Sequence, residues 1–190
     1  IQMGAWKLGP ILATGNSVVV KPARQTSLSM LRLAELAAEA GIPEGVLNVI
    51  PGNGGVIGAA LCKHMDVDAA AFTGSTEVGR QLLHYSAESN LKRTVLELGG
   101  KNPQLVLADA ADLDYIARQA VNCVFWNMGE NCSSGSRLIV HRKLKDKLLA
   151  KMLDVTKEWI VGDPLDPATK VGPLIEESHM NTVLGYIESG

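Results

Sequence analysis

The stretch AAAFTGSTEVGRQLLHYSAESNLKRTVLELGG, residues 69–100, decides the fold. Its small apolar start predicts a strand over 69–72, the periodic run after Ser75 a helix over 76–87, and Val95, Leu96 and Leu98 a strand over 94–98. Strand, helix and strand in that order make a crossover unit, which places its two strands parallel. Working back, Gly15-Asn16 turns into a strand at 18–20, and Leu28, Leu31 and Ala34 fall at helical spacing in a helix over 27–40 that Gly41 and Pro43 stop. A strand over 46–50, a helix over 54–64 and a first helix over 6–13 complete this half. Beyond Gly99-Gly100 the alternation resumes, with strands at 104–107 and 138–141 and helices at 113–124 and 144–159. Gly162-Asp163-Pro164 and Gly172-Pro173 then make an irregular connection to a last helix. The pattern is an α/β fold with a parallel sheet, followed by a second α/β unit.

Composition narrows the function classes. The 190 residues carry a net charge of −2, with no dense basic run and only 4% aromatic residues, so neither a nucleic-acid stripe nor a base-stacking platform is present. No apolar run approaches the length that spans a bilayer. Cys62, Cys123 and Cys132 are three scattered thiols, which fits neither a disulfide framework nor a metal knuckle and points to a reducing compartment. The chain begins at Ile1 and stops at Gly190 directly after a helical pattern, so it reads as an excerpt and its lack of a targeting signal carries no weight.

The polar signals gather at one edge. Ligands of open parallel sheets bind beyond the carboxyl ends of the strands, and Lys21, the Thr73-Gly74-Ser75-Thr76 loop and the group Glu97 to Gly100 each follow or close a strand. Small and hydroxyl residues at a helix N-terminus favour a phosphate; the ordinary alternative is an N-cap by Ser75 or Thr73. The run from Pro51 to Ile57 resembles a dinucleotide fingerprint, but Ile57 stands where its third glycine belongs, so it is read as a turn. Glu97 sits among Val95, Leu96 and Leu98, a strand read as apolar on both faces, which predicts a partly desolvated carboxyl with a raised pKa suited to a general base. Cys62 and Cys123 lie within helical patterns and read as structural. Cys132 differs, because Asn127, Gly129, Asn131, Ser133, Ser134 and Gly135 place it in a loop. A loop thiol that attacks a carbonyl carbon, and a carboxylate that activates water, are the parts for covalent catalysis followed by hydrolysis.

Seven motifs then converge on a family. WKLGPILATGNSVVVKPA, GIPEGVLNVIPG, FTGSTEVG, LELGGKNPQ, FWNMGENCSSGSR, GDPLDP and GPLI run through the whole chain, which resembles the middle section of an NAD(P)-dependent aldehyde dehydrogenase. The resemblance implies an aldehyde dehydrogenase-like fold: a Rossmann-type NAD(P)-binding domain over residues 1–98 and the start of a catalytic domain over 99–190. It makes Cys132 the nucleophile and Glu97 the general base, with Lys7 in a proton relay behind it. It puts Lys21 on the adenosine ribose, Gly74 and Ser75 beside the pyrophosphate, and Leu98 and Gly99 near the nicotinamide. No metal is required. The cofactor is NAD or NADP: Arg24 stands where NAD-preferring members often carry a glutamate, and an arginine can pair with a 2′-phosphate or remain a solvated loop residue.

The resemblance also implies a small aldehyde as substrate, no nucleic-acid or membrane partner, a homodimer or homotetramer at full length, and a cytoplasmic location, with organellar import left open. Trp126 and Trp6 fall along the family's aldehyde tunnel, either as hydrophobic lining or core or as aromatic faces for a cationic, amino-aldehyde or betaine-aldehyde-like substrate. An oxyanion-hole asparagine, a ribose-binding glutamate and the main oligomerisation strands of the family fall outside these residues, so the excerpt alone is expected to be inactive. Two alternatives stay open beside a hydrolytic enzyme. One is an acylating relative that passes its thioester to coenzyme A, against which Glu97 speaks; the other is a catalytically silent binding or structural protein.

Overall fold

Val18, Val19 and Val20 form β1 (Val18–Val20), which pairs in parallel with β2 (Leu47–Val49), Val18 opposite Leu47 and Val20 opposite Val49. This pair belongs to the first of two compact units, Ile1–Leu98 and Gly99–Gly190, in a computed structural model that describes residues 1–190. Helix α1 (Gln2–Ala13) precedes β1 and α2 (Leu28–Glu39) joins β1 to β2. Met30 of α2 is buried, and a Cβ on Gly4 of α1 would overlap its terminal methyl, so the two helices approach closely at that glycine.

The helix expected over 54–64 forms in two parts. A π turn over Gly54–Gly58 leads into the short α3 (Ala59–Lys63), and the Asn53 side chain caps the start by accepting from Gly55 N at 2.8 Å. The decisive stretch folds as expected into β3 (Ala69–Gly74), α4 (Thr76–Ala87) and β4 (Arg93–Leu98). β3 and β4 are parallel over six residue pairs, from Ala69 with Arg93 to Gly74 with Leu98. Gly79 is needed where α4 crosses this pair, since a Cβ there would come within 2.8 Å of the Leu98 side chain. Lys92 enters β4 buried at 5% exposure, its ammonium held by the Cys62 carbonyl at 2.7 Å and Ser89 Oγ at 3.0 Å, so the charge is solvated by oxygen rather than left bare.

The second unit repeats the plan. β5 (Pro103–Val106) and β6 (Arg137–Val140) are parallel, Pro103 opposite Arg137, with α5 (Leu113–Phe125) between them in sequence. Asp112 caps α5 by accepting from Tyr115 N at 2.9 Å. α6 (Lys145–Thr156) packs on α5, and Val106, Ala117, Val121, Leu148 and Val155 form the buried core. The Gly-Pro connection holds a single parallel bridge, Val161 with Val171, before α7 (Glu177–Ser189). The strands are parallel as expected; those of the first unit form two separate pairs, and the second unit holds a third. Each pair is the two strands of one local crossover, with α2, α4 and α5 as the linking helices.

Leu148 is wholly buried at the α5–α6 contact. Leu148→Ala is expected to lower unfolding free energy by about 2–5 kcal/mol, read as a shifted urea midpoint at unchanged slope.

Candidate active site

The β3–β4 register places Thr73 opposite Glu97 near the carboxyl ends of both strands. Lys7 of α1 joins them. Its ammonium donates to Thr73 Oγ1 at 2.5 Å and to the Met3 carbonyl at 3.4 Å, and its half-buried position lowers its pKa, a shift that the nearby Glu97 charge opposes. A lysine on one helix, a hydroxyl on one strand and a carboxylate on the next therefore form a single cluster. Nothing in the sequence marks Thr73 as the hydroxyl that holds Lys7; there it reads as part of a phosphate loop or as a helix cap. That cap is Ser75, whose Oγ accepts from Val78 N at 3.3 Å.

Glu97 departs from expectation. β4 alternates strictly, with Thr94, Leu96 and Leu98 turned inward and Arg93, Val95 and Glu97 exposed. Val95 is 51% exposed, so within these 190 residues the strand is covered on one face only. Leu98, expected near a nicotinamide, is half-buried against Gly79, while the space around Gly99 is open. Trp6 and Trp126 are 59% and 52% exposed, each outside the core of its own unit.

Lys21 and Arg24 meet in a cavity of about 350 Å³, which Gln25, Gly52, Asn53 and Gly54 also line. That is at the lower end for small-ligand pockets. Lys21 Nζ donates to the Pro22 carbonyl at 2.7 Å, anchoring the side chain at the cavity wall. The segment read as a turn does turn, with Gly52 at φ +144°, and Gly52, Asn53 and Gly54 line the same cavity as the two cations. Two cations lining a cavity with glycine backbone suit a nucleotide's ribose and phosphate oxygens, so these residues fit an NAD(P) cofactor. At the α4 N-terminus Gly74 and Ser75 are exposed, and Glu77 in the first turn already complements the helix dipole there.

In the second unit, Cys132 is half-buried on the loop that leaves α5. α5 ends before Trp126, which is extended at φ −55° and ψ 139°, and Asn127, Met128 and Gly129 follow it in three left-handed conformations at φ 53°, 55° and 77°. Two non-glycine residues held this way cost of order 1–2 kcal/mol each. Downstream the loop is tied on both sides. Asn102 Nδ2 donates to the Cys132 carbonyl at 3.0 Å and the Ser134 carbonyl at 3.3 Å, and Gln104 Nε2 donates to the Gly135 carbonyl at 2.6 Å. From α5, the Cys123 carbonyl accepts the Ser134 hydroxyl at 2.9 Å and Cys123 Sγ accepts Gly135 N–H at 3.2 Å. The Cys132 thiol has one weak neighbour, Asn131 Oδ1 at 4.0 Å. Cys62 is buried, which pushes its thiol pKa up despite Lys92. Only Cys132 of the three is presented by a loop. No group of three or more His, Cys, Asp or Glu side chains is arranged to hold a metal ion, and no helix is long and apolar enough to cross a membrane.

A family model described as "Aldehyde dehydrogenase family" matches residues 1–190. The chain is 55% identical over 188 residues to the aminoacetaldehyde dehydrogenase of Pseudomonas aeruginosa, covering 99% of the chain and 38% of that relative. It is 48% identical over 190 residues to the NADP/NAD-dependent aldehyde dehydrogenase PuuC of Escherichia coli, covering 100% of the chain and 38% of the relative. The crystal structure of an indole-3-acetaldehyde dehydrogenase in complex with NAD+ superposes with a TM-score of 0.97 at 53% identity, over 99% of this chain and 38% of that one. The chain thus spans about two fifths of the length of the proteins it matches.

Because the folded-state pKa of Lys7 lies below its ordinary value of 10.5, the unfolded chain binds more protons in the alkaline window beneath 10.5, and stability rises with pH there. Lys7→Met removes this dependence. The difference in melting temperature between Lys7→Met and the parent is expected to shift against the variant as pH climbs toward 10.5; a shift in its favour would reverse the sign assigned to Lys7.

Proposed function

This chain belongs to the aldehyde dehydrogenase family, and from that premise we propose that the protein carrying it oxidises an aldehyde to a carboxylic acid with NAD or NADP. The observation that carries the reading is the presentation of Cys132, half-buried on a loop whose backbone is tied by Asn102 just before β5 and by Cys123 of α5. In this proposal residues 1–98 bind the cofactor and residues 99–190 begin the catalytic domain.

Cys132 attacks the aldehyde carbon as the thiolate, forming a thiohemiacetal whose oxyanion receives the Cys132 backbone N–H. NAD(P), when bound, would supply the acceptor for the hydride that the thiohemiacetal carbon has to lose on the way to a thioester. Glu97 then takes a proton from a water that attacks the thioester carbon; the carboxylic acid leaves and the thiol is restored. Lys7, which feels the Glu97 charge and holds Thr73, is suited to pass a proton at that carboxylate. Lys21 and Arg24 would hold the adenosine ribose and its substituent, Gly74 and Ser75 the pyrophosphate, and Leu98 and Gly99 the nicotinamide. Arg24 on the cavity wall favours acceptance of a 2′-phosphate alongside the plain ribose. The full-length protein works as a homodimer or homotetramer in the cytoplasm.

Two measurements test this in the full-length protein. Cys132→Ala is expected to abolish turnover, whereas Glu97→Gln should release one equivalent of reduced cofactor and then slow about 10²- to 10⁴-fold, the usual worth of a general base. Rescue of the parent's rate by coenzyme A would instead favour the acylating reaction. For the substrate, exposed Trp126 and Trp6 offer aromatic faces to a cation, so amino aldehydes should exceed neutral aliphatic ones of equal length by roughly 2- to 30-fold in kcat/KM; equal values would remove the cationic preference.

A further inference from the structure

We infer that Asn102 is a positioning residue for the nucleophile, an inference that rests on Cys132 acting as proposed above. Asn102 immediately precedes β5, and its amide nitrogen reaches the carbonyls of Cys132 and Ser134, two residues apart on the loop, at 3.0 and 3.3 Å. A carboxamide has two N–H donors on one nitrogen, and here both are used on the loop, so the backbone is drawn around this one side chain on either side of Ser133. Alternation along an extended segment puts Gln104 on the same side as Asn102. Gln104 continues the row, donating to the Gly135 carbonyl at 2.6 Å and to the Ala120 carbonyl at 3.3 Å.

The two amides thus bind the carbonyls of Cys132, Ser134 and Gly135, three of four consecutive residues. Gly135 has to lack a side chain for this, since a Cβ there would overlap Gln104. Gln104 anchors the buried end of the loop, where Ser134 and Gly135 are both buried. Asn102 governs the end that bears the sulfur. Upstream, the left-handed run at Asn127–Gly129 opens the loop without tying residue 132 to the sheet. The carbonyl of Cys132 therefore depends on Asn102 for its direction, and the direction of that carbonyl sets the rotation of the peptide from which the thiol projects.

The role differs from general support of the fold because it depends on donation. Asn102→Asp keeps the shape but presents only acceptors to two carbonyl oxygens, and it sets a negative charge beside the nucleophile loop; Asn102→Ala removes the contact without adding charge. In the full-length enzyme both variants are expected to lose about 10- to 100-fold in kcat, the scale of a small misplacement of a reacting group, with the aldehyde KM within twofold of the parent. The second readout is alkylation of Cys132 by iodoacetamide against pH, followed by peptide mass spectrometry with Cys62 and Cys123 as internal references. Its midpoint should move up in Asn102→Asp and lie nearer the parent in Asn102→Ala. Variants that melt with the parent and keep both kcat and the alkylation profile within twofold would overturn the inference. A Cys132→Ser control separates the failures: if it still turns over, the proposed function falls too; if it is inactive while the Asn102 variants behave as the parent, only the positioning role falls.

Discussion

The parallel register of β3 against β4 is the constraint on which the first unit depends. It sets Thr73 opposite Glu97, gives Lys7 a hydroxyl to hold within reach of the Glu97 charge, and brings Leu98 level with the bare surface of Gly79. A slip of one residue would turn Glu97 to the opposite face and bring an outward residue against α4. The inward face of β4, Thr94, Leu96 and Leu98, resists that slip, because it would have to exchange with Arg93, Val95 and Glu97. Packing on one face of a strand thus fixes the address of a carboxylate on the other.

Much of this was legible in the sequence where a signal was periodic or a terminus was marked. The bounds of α4 follow from the small residues before it and the spacing within it, and the helix expected over 113–124 is α5 short of its last residue, Phe125. What failed depended on neighbours. Val95, Leu96 and Leu98 look apolar on both sides of a strand, yet within these 190 residues only one side is packed and Val95 is exposed. Gly54 to Gly58 carries a helical pattern, but its glycines allow a wider first turn. Asn102 and Gln104 gave no warning, since an amide on a short strand looks the same whether it meets water or a loop. The lysine cluster lay between: Lys7 and Glu97 were both picked out, and only the fold shows that Thr73 joins them.

The loop bearing Cys132 follows a different logic from the β3–β4 pair. No regular element contains it. A left-handed run opens it and side-chain bonds from β5 and α5 close it, so its shape is set by individual polar contacts rather than by a repeating ladder. Such a loop can keep its place while its sequence varies, provided the donors and the small residue at Gly135 remain.

The ties on the β5 side are neutral amides, and that has a consequence for how this loop meets its surroundings. Asn102 and Gln104 neither gain nor lose protons across the range in which the fold survives, and bonds between neutral groups are not weakened by dissolved ions in the way paired charges are. These two amide ties are therefore indifferent to acidity and ionic strength, unlike the His179–Glu130 contact at 3.0 Å two residues upstream of Cys132. A titration of Cys132 reactivity reports on the sulfur and the charges around it, His179 and Glu130 among them, while the two amides stay silent.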